Sequence, residues 1–376
     1  MLDDYIQGAT TQLIRRAAAL KALIPRPPRL EFQVLATRCC QQIDQAIKDL
    51  KFIRDNPVQK KPELASTRLR QFRRVSAWID RIENEAIAAI SRADAGESKV
   101  HGLLFKVTGE INYPIEPPTI SLLSQEYFYV NSDFSLLCMP LTEIHYLLHL
   151  PDIYHELAHP LFRKEDDIRV QSWLRAFAES VDAITEHLTA QIIEAETSPT
   201  PEYLKKALLL AFLSWKSRWA EEIFCGLFAM FSVGPAFAWS HLHLHARSGN
   251  APFLMPEQRH THPADDARMT ALLEGLALLK EQHVAAVIEQ EWKELLACSG
   301  QKEPAEFQRF YPRQILRFFA EEAYKGFNGM GCKPWTAMNA GRVRETLNEA
   351  WRQFWRSPEA YTVWETEAVE RLYGAA

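Results

Sequence analysis

From Phe32 onward, apolar side chains recur at Ala36, Cys39, Ile43, Ala46, Leu50 and Ile53, and Phe72, Val75, Ile79, Ile82 and Ala86 repeat the rhythm. Steps of three and four keep one helix face apolar, so the spacing predicts two amphipathic helices. A polar link containing Pro57 and Pro62 favours antiparallel packing of the pair, and a first helix near 8–24 is expected to stop before Pro25-Arg26-Pro27-Pro28. Between about 99 and 140 the pattern changes. Asn112-Tyr113-Pro114 and Pro117-Pro118 exclude helix, whereas Ile120 to Leu123 and Tyr127 to Val130 are rich in strand formers, which predicts a small antiparallel sheet. From Leu141 helical periodicity returns, with amphipathic runs near 166–196, 203–232, 265–297, 304–325 and 340–356. The mostly apolar run Ile223 to Trp239 is shorter than the roughly 20 residues of a membrane span and reads as a buried central helix. The expected fold class is α+β, predominantly α-helical, with an N-terminal helical region at 1–98 and a second region at 99–376.

Composition supports that picture. Fourteen glycines in 376 residues favour long helices over a turn-rich β architecture, and 47% hydrophobic with 24% charged residues excludes a disordered chain. Basic residues number 43 against 48 acidic, and a formal charge of −5 argues against a partner that is a nucleic acid or a membrane surface. The cluster Arg68, Arg70, Arg73 and Arg74 therefore reads as a solvated helix face. Cysteines 39, 40, 138, 225, 298 and 332 contain no Cys-x-x-Cys pair and read as core residues in a reducing compartment. The start, Met1 to Tyr5, lacks the basic and apolar regions of a secretory signal, so a cytoplasmic location is expected.

The informative segment is Leu150-Pro151-Asp152-Ile153-Tyr154-His155-Glu156-Leu157-Ala158-His159. On a helix, His155 and His159 project from one face a turn apart, so both imidazoles can reach one metal ion while Glu156 can touch a metal-bound water. Pro151 and Asp152 mark the first turn, and Pro160 is expected to end or kink the helix. A catalytic site of this kind needs a third protein ligand and an open position. Glu221 and Glu222 open the most apolar helix of the chain, where an unpaired charge would be expensive; the alternative is a solvent-exposed pair favoured by the helix dipole. The triplet His241, His243 and His245 reads as a polar loop or a helix end before Ser248-Gly249-Asn250.

These two segments resemble the gluzincin metallopeptidases, whose ligands are the two histidines of His-Glu-x-x-His and the first glutamate of a later Glu-x-x-x-Asp. The resemblance implies a zincin-like core, a zinc (Zn2+) ion on His155, His159 and Glu222, and Glu156 as general base in peptide hydrolysis. It implies that the strands lie beside the active-site helix and align an extended peptide. The aspartate of that pattern is Gly226 here. Thr261-His262-Pro263 followed by Arg268 is similar to a segment found after the ligand glutamate in some membrane-linked gluzincins, which implies that His262 and Arg268 line the site. His262, Arg268, Tyr311 and Tyr324 remain candidate oxyanion donors. A peptide or protein is the expected substrate, and the N-terminal helices would serve as lid or partner-docking surface. The contrasting expectation is a non-enzymatic helical interaction protein holding a structural metal or none.

Overall fold

The computed structural model describes residues 2–24, 30–55, 62–92, 95–122, 124, 127–140, 143–248, 251–256, 260–298, 300–338 and 341–374. Its first helices are α1 (Leu2–Leu23), α2 (Leu30–Asp55) and α3 (Pro62–Arg81). A π-helical stretch, Ile82–Ile87, carries α3 into α4 (Ala88–Arg92), and α5 (Ala95–Ile111) follows. The stop at Pro25-Arg26-Pro27-Pro28 and the turn at Pro57 lie outside the described residues; Pro62 opens α3, where a missing N–H does no harm. The predicted apolar faces are the buried ones. Phe32, Leu35, Cys39, Ile43 and Leu50 of α2 join Val75, Ile79, Ile82 and Ala86 in one core, together with Leu13, Ala17 and Leu20 of α1. Arg68 leaves the basic cluster: it is buried and donates to the Ile53 carbonyl oxygen at 2.9 Å, while Arg70, Arg73 and Arg74 stay exposed.

The sheet comprises β1 (Thr119–Ser121), β2 (Tyr129–Asn131) and β3 (Leu136–Cys138) in the order β1-β3-β2. It is mixed rather than antiparallel as expected. The tight turn at 132–135, with Ser135 at φ 50°, folds β2 and β3 into an antiparallel hairpin pairing Val130 with Leu137. β1 lies on the other side of β3 from β2 and pairs with it in parallel, Ile120 opposite Leu137. His101 Nε2 accepts from the Ile120 amide at 3.0 Å.

Two compact units result, 1–101 with 118–141, and 102–117 with 142–376. The strand segment, placed by sequence in the region 99–376, groups instead with the N-terminal helices, because Phe134, Leu136 and Cys138 bury themselves in their core. The strands therefore do not belong to the unit carrying the His-Glu-x-x-His segment.

That second unit contains α6 (Asp152–Ala158), α7 (Gln171–Thr197), α8 (Glu202–Ser214), α9 (Ala220–Val233) and α10 (Pro235–Ser248). After these come α11 (Asp265–Leu278), α12 (Gln282–Cys298), α13 (Phe307–Phe310), α14 (Arg313–Gly329), α15 (Arg342–Arg356) and α16 (Pro358–Gly374). Several predicted runs are split. The single buried helix expected over 223–239 breaks at Gly234, whose φ of 73° is reserved for glycine and whose missing Cβ leaves room for the Trp335 ring. The run 265–297 breaks at Lys280, φ 63°, and the run 304–325 at Tyr311-Pro312. Aromatic rings fill the centre: Trp173 meets Phe224 and Phe228 edge-on, and Trp215 packs on Trp219 and Phe319. Gly326 lets α14 approach α7 closely, since a Cβ there would lie 3.0 Å from Ala176 Cβ and 3.1 Å from Trp173 Cα. Among the described residues, no helix is long and apolar enough to cross a membrane.

Candidate metal centre

Every residue of α6 is buried. Its N-terminal Asp152 accepts from Ser240 Oγ at 2.8 Å, and Tyr113 donates to the Leu157 carbonyl oxygen at 2.7 Å near its other end. Pro160 does not break the geometry that the motif requires. The helix tightens there into a 3-10 turn, His159–Arg163, and His159 keeps helical dihedrals, φ −55° and ψ −43°. The two imidazoles consequently face each other edge-on with centroids 5.2 Å apart. Glu156, between them, is buried.

The carboxylates arrive on α9. A π-helical turn, Trp215–Trp219, joins α8 to α9, and its extra residue resets the helical register immediately before Glu221 and Glu222. Glu222 is buried, so the solvent-exposed alternative for this residue fails. Its Oε2 lies 3.2 Å from His155 Nε2 and 3.5 Å from His262 Nε2, and its Oε1 lies 3.9 Å from His159 Nε2. Three imidazole nitrogens therefore converge on one carboxylate. Glu222 Oε2 nevertheless has no aligned hydrogen-bond donor, and His155 Nδ1 is likewise buried without a partner. Burial drives His155 down to about 4; burial also opposes charge on His159, but Cys225, Glu221 and Glu156 outweigh it and raise that ring well above its ordinary value. Burial opposes the charge on Glu222, but His155, with His159 and His262 beyond it, outweighs that effect and holds the carboxyl well below its ordinary range.

Glu221 takes a different place. Its Oε1 lies 3.0 Å from His159 Nδ1, so the second carboxylate of the pair orients one of the two histidines. Sequence reasoning missed this role because it sought an outer carboxylate four residues after Glu222. At Gly226 a Cβ would meet Leu272 and Phe237 at 3.6 Å, an apolar setting. Cys225 was also missed: its buried Sγ lies 3.5 Å from His159 Nδ1, and burial pushes the thiol up to about 12.

The segment after α10 reaches the same place. Trp219 Nε1 donates to the His260 carbonyl oxygen at 3.0 Å, and Thr261 Oγ1 lies 2.9 Å from His262 Nδ1. Arg268 sits 3.9 Å from Asp265 Oδ1 and its charge bears on both His155 and His262. Tyr311 lies in the aromatic core and donates to the Leu254 carbonyl oxygen at 3.2 Å, and Tyr324 packs on Phe231. The histidine triplet is helical, not a loop: His241 Nε2 is 3.1 Å from the Asp265 carbonyl oxygen, His245 Nδ1 is 2.8 Å from Asp265 Oδ2, and His243 stacks on His149. Gly249 and Asn250 lie outside the described residues.

The donor set suits a divalent ion. A buried carboxylate is costly unless positive charge compensates it, and the Nε2 atoms of His155 and His159 face Glu222 at 3.2 and 3.9 Å. Among the described residues, donor atoms of His155, His159 and Cys225 also lie within 4.8 Å of one another. Glu222 faces the Nε2 atoms of both rings, at 3.2 Å from His155 and 3.9 Å from His159. No family model, curated protein or solved structure matches the chain.

Proposed function

We propose that the protein is a zinc-dependent peptide hydrolase of gluzincin type, with His155, His159 and Glu222 holding the ion. The observation that carries this reading is the buried Glu222 carboxylate, which the Nε2 atoms of His155 and His159 face at 3.2 and 3.9 Å. A zinc ion held by these residues would supply a water of pKa about 7 and polarise the scissile carbonyl. Glu156, between the two histidines and close enough to influence His159, would take the proton from the attacking water. It then returns that proton to the leaving amine. Glu221 fixes the orientation of His159, and His262 offers Nε2 on the Glu222 side, where an oxyanion would need a donor. Arg268, directed by Asp265, adds positive charge to the same region. The reading carries with it a peptide or protein substrate in the cytoplasm.

A structural metal in a non-enzymatic helical protein is the second reading. Cys225 favours it, since thiolates are common ligands of closed structural sites. Elemental analysis with a peptide-cleavage assay separates the two. Wild type should hold one zinc per chain, His155→Ala and Glu222→Ala should lose it, and Glu156→Gln should keep the metal but lose cleavage by about 10²-fold or more. Unchanged cleavage in Glu156→Gln would remove the hydrolytic mechanism.

A further inference from the structure

His159 presents its two nitrogens to different donor sets. Nε2 faces Glu222, whereas Nδ1 faces Cys225 Sγ at 3.5 Å and Glu221 Oε1 at 3.0 Å. A neutral imidazole gives one nitrogen to an ion while the other carries the proton, so the two sets are alternatives. A second observation concerns His155: its side chain is 8% exposed, and its Nδ1 is buried and without a hydrogen-bond partner. The donor atoms of His155, His159 and Cys225 already lie within 4.8 Å of one another.

We propose that His155, His159 and Cys225 form an alternative coordination mode that captures soft, thiophilic cations of the cadmium class and so displaces zinc from the site. This rests on the zinc reading above, because the histidines are shared. Cys225 is a thiol before binding; as the sulfur–metal bond forms, its proton passes to solvent and no electron is transferred. Soft thiolate selects soft ions, whereas the carboxylate of Glu222 favours harder ones. Glu221, displaced from Nδ1, becomes available as an oxygen ligand.

The test uses the full chain in a Cys298→Ser background, which removes the exposed thiol. Cadmium chloride is titrated while ultraviolet thiolate-to-metal absorption, released protons and bound metal are recorded. One equivalent of Cd2+ should produce the absorption band, with release of at least the Cys225 proton. Cys225→Ser and Cys225→Ala, each checked for native circular dichroism, should abolish the band, whereas Glu222→Gln should weaken zinc tenfold or more and spare the cadmium band. A band that survives both Cys225 variants, or stoichiometric cadmium binding without a band, overturns the proposal. Zinc bound through Glu222 with no cadmium band defeats this inference alone; failure of wild type to bind either metal defeats it together with the functional reading.

Discussion

Glu221 Oε1 lies 3.0 Å from His159 Nδ1, while the next residue, Glu222, faces Nε2 of the same ring. Successive residues on one helix thus address both edges of one imidazole. An outer carboxylate raises the basicity of a ligand histidine and fixes its tautomer, and loss of such a partner typically lowers metal affinity by about 10–100-fold. Glu221→Gln should therefore weaken zinc by that factor in a chelator competition, with an unaltered thermal midpoint of the metal-free protein. Affinity equal to wild type would show that the contact does not orient His159.

Acid should destabilise the protein before its ordinary carboxylates titrate. Burial drives His241 down to about 4 from an ordinary 6.5. Its folded-state value is depressed, so the stabilising contribution is complete above pH 6.5 and declines as pH falls toward 4, by on the order of 3 kcal/mol. Asp265 acts in the same direction at lower pH: burial opposes its charge, but His245, His241 and Arg268 hold it at about 2, so its contribution is complete above 3.8 and fades toward 2. Urea unfolding at pH 7 and pH 5 should give a lower midpoint at pH 5, and His241→Gln should flatten that dependence. An equal pH slope in the variant would assign the acid lability elsewhere.

Gly234→Ala should destabilise the protein by about 3 kcal/mol, combining backbone strain at φ 73° with a collision against Trp335. The amide of Trp335 is held by the Phe231 carbonyl oxygen at 2.7 Å, which fixes the backbone that carries the ring. Denaturant melts of the purified variant measure the effect; a change below about 0.5 kcal/mol would contradict the close approach.

Trp219→Phe removes the Nε1 donor that ties His260 to the start of α9. The expected result is an undiminished zinc content with peptide cleavage reduced by about tenfold, the equivalent of one hydrogen bond worth about 1.4 kcal/mol. Zinc loss in this variant would instead mean that the tether supports the ligands themselves.

Much of the helical architecture was legible along the chain because amphipathic periodicity records which face each helix buries. Phe32, Cys39, Ile43, Val75 and Ile79 became core as their spacing required. The splits at Gly234 and Lys280 were less legible, since an apolar run continues through a break and only the backbone dihedral reveals it. The direction of β1 was hidden because pairing partners depend on how a connection crosses, not on strand composition. At the candidate centre, the local spacing of His155, Glu156 and His159 was visible, but the part taken by Glu221 was not. It depends on a π-helical turn that rotates α9 and on the approach of α9 to α6.

Sequence by itself determined the helical periods, the apolar faces and the juxtaposition of two imidazoles one turn apart, because these follow from bonds and spacing within a single element. Tertiary structure alone decided that Glu222 meets both rings, that Cys225 and Glu221 share the opposite edge of His159, and that the strands join the N-terminal helices. Such meetings are set by packing between elements far apart along the chain, where no local pattern of residues encodes which faces come together.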